Sequence, residues 1–160
     1  MPSPRSAHTQ AAESAPKSLH LELADVPDDD TAAPCIDWLE DTVVRIARSG
    51  NLSCDEAHFL GVAVREAVVN ALRHGRGADG RCELMVRMRN AFGRLLLVTV
   101  RDRGPGFDPC CVADPCLPEN VAKNSGRGIF YMRRFTDRVS FGFPKDGGVV
   151  VRLGKRLPGR

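Results

Sequence analysis

The sequence predicts one α+β domain, a two-layer sandwich in which helices cover one face of a mainly antiparallel mixed sheet. Strand-like and helix-like segments are grouped along the chain instead of alternating strictly. The 160 residues suffice for one hydrophobic core. A composition of 42% hydrophobic and 27% charged residues is that of ordinary soluble globular proteins.

The domain is expected to span residues 18–157. Residues 1–17 are rich in Ser, Pro, Ala and Gln without any period, which predicts a disordered tail. Apolar and polar residues alternate in Leu19–Leu23, as in a half-buried strand. A helix is predicted from about Thr31 to Ser49, where apolar residues recur at helical spacing, and Trp38 within it is assigned to the core.

The central helix carries an unusual polar stripe. Ser53 followed by Glu56 is a capping box that predicts its start, and the helix is expected to end near His74-Gly75. Glu66, Asn70 and His74 are spaced i, i+4 and i+8, so they lie on one side of a helix that is otherwise apolar. A buried carboxylate and amide are unfavourable unless they have polar partners, so a polar ligand or partner is expected to face this stripe.

The second half of the chain predicts an antiparallel hairpin, a long loop, a short helix and two further strands. The hairpin strands are Cys82–Met88 and Leu95–Arg101. Residues 107–125 hold three prolines in nineteen residues, a length typical of a functional lid. The last elements are an amphipathic helix at Gly128–Phe135 and strands at Val139–Phe143 and Val149–Leu153.

Charge and hydropathy exclude several classes of function. The net charge is +3, and the Lys and Arg residues are scattered along the predicted elements, so no direct contact with nucleic acid is expected. No apolar run approaches the ~20 residues of a membrane span, so no membrane association is expected. The start of the chain lacks the apolar segment of a signal peptide, which makes the cytoplasm the expected compartment.

The six cysteines do not form a metal-binding pattern. Cys35, Cys54 and Cys82 fall in predicted elements and are interpreted as small buried thiols. Cys110, Cys111 and Cys116 share the long loop without a Cys-x-x-Cys pair or a nearby histidine, so no zinc site is predicted there. A redox-sensitive or metal-binding loop stays open as the alternative.

Two glycine-rich motifs complete the candidate site. Asp102 leaves the end of a predicted strand into Gly-Pro-Gly, where a buried carboxylate could accept a hydrogen bond from an exocyclic amine. Gly126-Arg-Gly128 runs directly into a helix, an arrangement that favours phosphate binding by backbone N–H groups. Each motif is common alone, but this order of motifs with a lid between them indicates a nucleotide site.

Together these motifs resemble the Bergerat-fold (GHKL) ATP-binding family of histidine kinases, DNA gyrase, heat-shock chaperones and MutL. The resemblance is strongest to the small anti-sigma-factor serine/threonine kinases of bacterial partner-switching systems. It is carried by Glu66–Gly75, Asp102–Phe107 and Gly126–Val139, and it extends over Leu19–Leu157.

The resemblance implies ATP and Mg²⁺ as cofactors and a role for each matching residue. Glu66 would be the general base that activates the attacking hydroxyl, and Asn70 would bind Mg²⁺ and the nucleotide. Asp102 would bind the adenine amino group. The remaining cofactor-binding positions would be Gly104 and Gly106 at the base, and Gly126, Arg127 and Gly128 at the phosphates. These assignments agree with the chemistry of phosphoryl transfer, which needs a metal, donors to the phosphates and a positioned base.

The resemblance also implies protein partners: a sigma factor that is sequestered, an anti-anti-sigma (STAS-type) antagonist that is phosphorylated, and a second copy in a homodimer. One position departs from the family pattern. The family often has a threonine at the start of the last strand, where this chain has Gly148-Val149. Loss of a water-mediated contact to the base is expected there.

Alternatives stay open at several of these positions. Glu66 and Asn70 could form a hydrogen-bonded pair without any ligand, and His74 is interpreted as a helix-end histidine that interacts with the helix dipole. Arg127 and Lys123 could be solvated lid charges. For the whole chain, the alternatives to a kinase are a non-catalytic ATP-dependent partner-binding module and an ATP-free scaffold. A sensor histidine kinase is disfavoured because Thr31–Ser49 contains no histidine.

Overall fold

A computed structural model of the protein describes residues 18–23, 29–78, 83–91, 94–107 and 127–158. The predicted tail 1–17 and the predicted lid beyond Phe107 lie outside the described residues. So do Gly126, Lys123, Cys82 and the three loop cysteines. The expectations for those residues stay predictions.

Five strands form one sheet in the order β1-β2-β3-β5-β4. The strands are β1 Ser18–Leu23, β2 Leu84–Ala91, β3 Leu95–Arg101, β4 Arg138–Gly142 and β5 Val150–Arg156. All four pairings between these strands are antiparallel. The predicted mainly antiparallel sheet is confirmed, and the parallel pairing that a mixed sheet requires does not occur among these five strands.

Among the described residues, three helices cover one face of the sheet: α1 Asp29–Ser49, α2 Cys54–His74 and α3 Arg127–Phe135. The core lies between this helical layer and the sheet. Alternate residues of β3, namely Leu96, Val98 and Val100, are buried against the helices, while their neighbours on the strand are only half-buried. The α+β sandwich with helices on one face is therefore confirmed.

The central helix α2 begins where the sequence predicts it. The Ser53 hydroxyl accepts a bond from the Glu56 N–H at 3.2 Å, and the Glu56 carboxylate accepts one from the Ser53 N–H at 3.2 Å. The backbone N–H of Ser53 also lowers the pKa of Glu56 below its ordinary value. Both bonds satisfy donors that the first helical turn would otherwise leave free.

Ion pairs and a glycine join α2 to α1. The Arg65 guanidinium lies 2.6 Å from Asp37 and 3.0 Å from Glu40 of α1, and the hydrogen bond to Asp37 is the main reason that the pKa of Arg65 is raised. A Cβ on Gly61 would lie 2.9 Å from Val44 Cγ2, so the two helices approach closely there. The side of α2 that is turned away from α1 packs against α3.

Two assignments to the core are wrong. Trp38 is 48% exposed. Ile36 and Leu39 face the core, and Trp38 points elsewhere because residues two positions apart on a helix lie on different faces. Cys54 is exposed at the first turn of α2, where its Sγ contacts the Arg48 guanidinium, and Cys35 is only half-buried. Residue type suggested burial in these cases, but position on the helix decided exposure.

None of the helices among the described residues is long and apolar enough to cross a membrane.

Candidate functional site

A cavity of about 270 Å³ opens between α2, α3 and the ends of the strands. Its lining combines residues from α2, from the turn after β3, from α3 and from β4, β5 and the residue before β5. These residues are Ala67, Asn70, Ala71, His74, Asp102, Gly106, Phe107, Gly128, Ile129, Met132, Phe141, Val149 and Val151. Residues of all three sequence motifs thus contribute to one site, the third through Gly128 in the first turn of α3.

Asp102 is the buried acid of this cavity. It follows β3 directly and is 7% exposed. Its Oδ1 accepts hydrogen bonds from the Gly104 N–H at 2.9 Å and from the Val149 N–H at 3.0 Å. Burial raises the pKa of Asp102, while these two backbone N–H groups act in the opposite direction. Because both bonds hold Oδ1, the carboxylate has a fixed orientation in which Oδ2 can accept a bond from a ligand.

Close backbone packing around Asp102 explains why residues 104 and 148 are glycines. A Cβ on Gly148 would lie 1.9 Å from the Asp102 carbonyl oxygen, and the φ of Gly148 is +86°. A Cβ on Gly104 would lie 2.4 Å from the His74 carbonyl oxygen at the end of α2. The Gly148 N–H donates to the Gly104 carbonyl at 3.1 Å. The end of α2, the turn after β3 and the start of β5 are therefore locked together behind the acid.

Apolar side chains form the wall of the cavity. Ile129 and Met132 come from one side of α3, Phe141 comes from β4, and Val149 and Val151 come from β5 and the residue before it. An apolar wall around one oriented carboxylate suits a flat heterocycle that carries a single amine. Apart from Val149, which the family resemblance placed near the base, the sequence assigned these positions only to a helix and two strands, because the cavity exists only after α3 has packed against the sheet.

Glu66, Asn70 and the first turn of α3 meet at the polar side of the site. A Cβ on Gly128 would lie 2.7 Å from Glu66 Oε2 and 3.1 Å from Asn70 Nδ2, so the start of α3 lies close to both side chains of α2. Glu66 and Asn70 are half-buried, which leaves their polar atoms within reach of a ligand. The predicted stripe on α2 thus faces the N-terminus of α3, the end of a helix whose dipole favours anions.

The structure brings together four of the predicted site residues in the cavity lining: Asn70, Asp102, Gly106 and Gly128. Glu66 lies beside them against Gly128, and Arg127 is the exposed first residue of α3. Gly104 lies behind Asp102 and supports it instead of lining the cavity. His74, which the sequence suggested only as a helix-end histidine, lines the cavity as well.

The protein oxygen atoms of the site fit a hard cation such as Mg²⁺ only when phosphate oxygens are also present. Among the described residues there is no cluster of three or more His, Cys, Asp or Glu side chains that could hold a metal alone. Mg²⁺ needs no such cluster, because it is commonly held by one or two protein oxygens together with phosphate oxygens and water. The Asn70 amide oxygen can supply such a ligand.

Comparison with known proteins gives matches over most of the chain. Residues 36–155 match the family described as "Histidine kinase-like ATPase domain". The serine-protein kinase RsbW of Bacillus licheniformis is 32% identical over 125 residues, which cover 72% of this chain and 74% of that protein. The serine-protein kinase RsbW of Bacillus velezensis is 30% identical over 128 residues, or 73% of this chain and 78% of that protein.

Two solved structures share the fold. One contains the RsbU and RsbW domains of a Mycobacterium tuberculosis protein, with a TM-score of 0.58 and 19% identity over 89% of this chain. The chain spans 34% of the length of that protein. The other is the histidine kinase domain of a blue-light activated histidine kinase from Erythrobacter litoralis, with a TM-score of 0.53 and 20% identity over 74% of this chain and 65% of that one.

Proposed function

The chain belongs to the family of histidine kinase-like ATPase domains, and from this membership we propose that it is an anti-sigma serine/threonine protein kinase. It binds Mg-ATP, sequesters a sigma factor and transfers the γ-phosphate to a serine or threonine of an anti-anti-sigma antagonist. The names of the RsbW relatives support the kinase activity. The observation that carries the proposal is one cavity lined by the oriented acid Asp102 and by Asn70, with Glu66 beside it.

Asp102 selects the base. Its Oδ2 accepts a hydrogen bond from the exocyclic amine of adenine, while Oδ1 stays bound to the backbone of Gly104 and Val149. A guanine would place a carbonyl acceptor at the same point, opposite a carboxylate that cannot donate. The apolar wall of Ile129 and Met132 packs against the ring and excludes water.

Asn70 and the start of α3 bind the phosphates. The Asn70 amide oxygen contributes to holding Mg²⁺, which neutralises charge on the phosphate oxygens when it is bound. The N–H groups around Arg127 and Gly128 donate to the phosphates, assisted by the positive end of the helix dipole. Gly126 is expected to continue this cradle from the lid.

Glu66 accepts the proton of the attacking hydroxyl. Its carboxylate lies next to Asn70 and Gly128, and therefore next to the phosphate end of the site. A hydroxyl needs such a base because it is a weak nucleophile while it keeps its proton. Glu66 also favours a kinase over the alternative, a non-catalytic module that binds ATP only to select partners, because binding alone does not require a base.

Two variants test these roles. Glu66→Gln keeps the size and polarity of the side chain but removes its basicity, so transfer to the antagonist should fall by about 10²- to 10⁴-fold while ATP binding is retained. Asn70→Ala should lose Mg²⁺-dependent ATP binding. Undiminished transfer by Glu66→Gln would show that another group is the base. Titration calorimetry and transfer of labelled γ-phosphate separate the two effects.

The homodimer is part of the same proposal. It is supported by the resemblance to anti-sigma kinases and concerns surfaces outside the nucleotide cavity. Sedimentation at micromolar concentration tests it directly, and a monomer under those conditions would count against it.

A further inference from the structure

The face of the sheet turned away from the helices is rich in arginine. Side chains alternate between the two faces of each strand, and the registers of the four pairings align them into rows. The arginines that point away from the helices are Arg87 and Arg89 of β2, Arg101 of β3, Arg138 of β4, and Arg152 and Arg156 of β5. Glu22 of β1 is the one carboxylate at the corresponding strand positions. We call this surface the arginine face.

The arginine face concentrates positive charge, because its six arginines are set against the single carboxylate of Glu22 at these strand positions. The whole sequence has 23 Lys and Arg against 20 Asp and Glu, a net charge of +3. Neighbouring strands lie about 4.8 Å apart, so Arg87 and Arg152, which lie on either side of Thr99, are about 10 Å apart, close to one Debye length at physiological salt. These like charges repel, and an acidic surface placed opposite them would relieve the repulsion.

Internal ion pairs do not neutralise the arginine face. Arg101 is paired with Asp146 at 2.5 Å, and Arg87 donates to His20 at 3.2 Å. For Arg89, Arg138 and Arg152, however, none of the carboxylates described in the structure lies within ion-pair distance. All three side chains are exposed. They are available to carboxylates of a partner.

Apolar side chains lie next to some of these arginines. Leu97 of the middle strand β3 is half-buried and pairs with Arg89 of β2, and half-buried Leu95 lies two positions before it on the same face. Apolar side chains next to arginines are typical of protein interfaces, in which arginine is enriched. Sheets that bind single-stranded nucleic acid instead present aromatic side chains for stacking, and the arginine face carries none among its described positions.

We propose that the arginine face docks an acidic protein segment that presents carboxylates to the arginines and leucine-like side chains to Leu95 and Leu97. A second copy of this chain is a poor occupant, because pairing the face with itself would oppose arginine to arginine. The nucleotide cavity opens on the helical side of the sheet. The acidic partner can therefore be bound while ATP and the phosphoacceptor occupy the cavity.

The test compares two variants of equal charge in the full-length chain. Arg89, Arg138 and Arg152 are replaced by serine in the first variant, and the exposed Arg45, Arg133 and Arg134 of the helical layer are replaced by serine in the second. The probe is a labelled helical peptide with leucines on one side flanked by glutamates, measured by fluorescence anisotropy at physiological salt. The control probe has glutamine in place of glutamate.

The native chain should bind the glutamate peptide and should bind the glutamine peptide at least about tenfold more weakly. The first variant should lose roughly tenfold in affinity for the glutamate peptide, and the second variant less than about twofold. ATP should leave peptide binding unchanged. Thermal unfolding and ATP titration of both variants should match the native chain, so the result is independent of whether the proposed kinase activity is found.

Four outcomes would overturn the proposal. Equal losses in the two variants would show attraction to net charge alone, and absence of peptide binding by the native chain would show that no such site exists. Tighter binding of a single-stranded oligonucleotide than of the glutamate peptide would assign the face to nucleic acid. A change of sedimentation state in the first variant alone would assign it to contact between copies.

Discussion

Replacing Asp102 by asparagine separates the binding of adenine from the stability of the fold. The amide has the shape of the carboxylate, and its oxygen can keep both backbone bonds, from Gly104 at 2.9 Å and from Val149 at 3.0 Å. At the position of Oδ2, however, the acceptor is replaced by an NH₂ donor. The exocyclic amine of adenine then faces a donor, and its hydrogen bond is lost.

The expected magnitude follows from the charge and burial of this bond. Asp102 is 7% exposed, and a hydrogen bond to a charged group contributes about 1.5–3 kcal/mol. ATP affinity should therefore fall by roughly 10- to 150-fold. The free energy of unfolding should change by less than about 1 kcal/mol, because the backbone bonds persist. Titration calorimetry with Mg-ATP and urea denaturation of the same samples measure both quantities.

The raised pKa of Asp102 makes both the stability of the fold and the binding of nucleotide depend on pH. Burial raises it above the ordinary value of 3.8, so the folded state holds this proton more tightly than the unfolded state does. The contribution of Asp102 to stability is then fully present below pH 3.8 and decreases as the pH rises through the raised pKa. In Asp102→Asn, this decrease in stability with rising pH should be absent. In the native chain, nucleotide binding should weaken as the pH falls through the same range, because the protonated acid accepts poorly.

Two results would refute this reasoning. Unchanged ATP affinity in Asp102→Asn would show that the acid does not contact the base. A loss of stability as large as the loss of binding energy would show that the carboxylate is structural and that weaker binding is a consequence of unfolding. Asp102→Ala is the reference for that second case, because it removes the acceptor of both backbone bonds.

Three further substitutions test neighbouring features. Gly148→Ala should lower the free energy of unfolding, measured by urea denaturation, by about 3 kcal/mol or more, because φ is +86° and the added Cβ would lie 1.9 Å from a carbonyl oxygen. Gly147→Ala is the control: its φ is +89° but the space around it is open, so the loss should be about 1 kcal/mol. Similar losses at the two glycines would refute the close packing behind Asp102. Ser53→Ala should lower stability by about 1 kcal/mol, and the loss should shrink in acid as Glu56 becomes protonated. Val149→Thr should tighten ATP binding roughly three- to tenfold by adding a hydroxyl to the cavity wall, and calorimetry would show no gain if the family's threonine contact is irrelevant here.

Local patterns predicted the elements well because the interactions that specify them are local. The capping box at Ser53 and the alternation in β3 involve residues close in sequence, and both are present in the structure. The stripe of Glu66 and Asn70 follows from helical spacing alone. Asp102 was recognisable because an acid at a strand end before two glycines is itself a local pattern.

The features that sequence reasoning missed arise from contacts between distant elements. The arginine face gathers its charges from four strands, each of which contributes one or two arginines, so no basic run marks it in the sequence. The role of Gly148 depends on the carbonyl of Asp102, a residue far away along the chain. Trp38 was misplaced because residue type was given more weight than its position on α1.

The most direct test of the kinase proposal is the fate of the γ-phosphate. The purified chain would be incubated with Mg²⁺, ATP labelled at the γ-phosphate and a candidate STAS-type antagonist, and the label on the antagonist would be followed with time and located by residue. The proposal predicts label on a serine or threonine of the antagonist, and labelling at least about a hundredfold slower when Glu66→Gln replaces the native chain. Tight binding of ATP with no label on any antagonist would contradict it and would favour a module that binds nucleotide only to select partners.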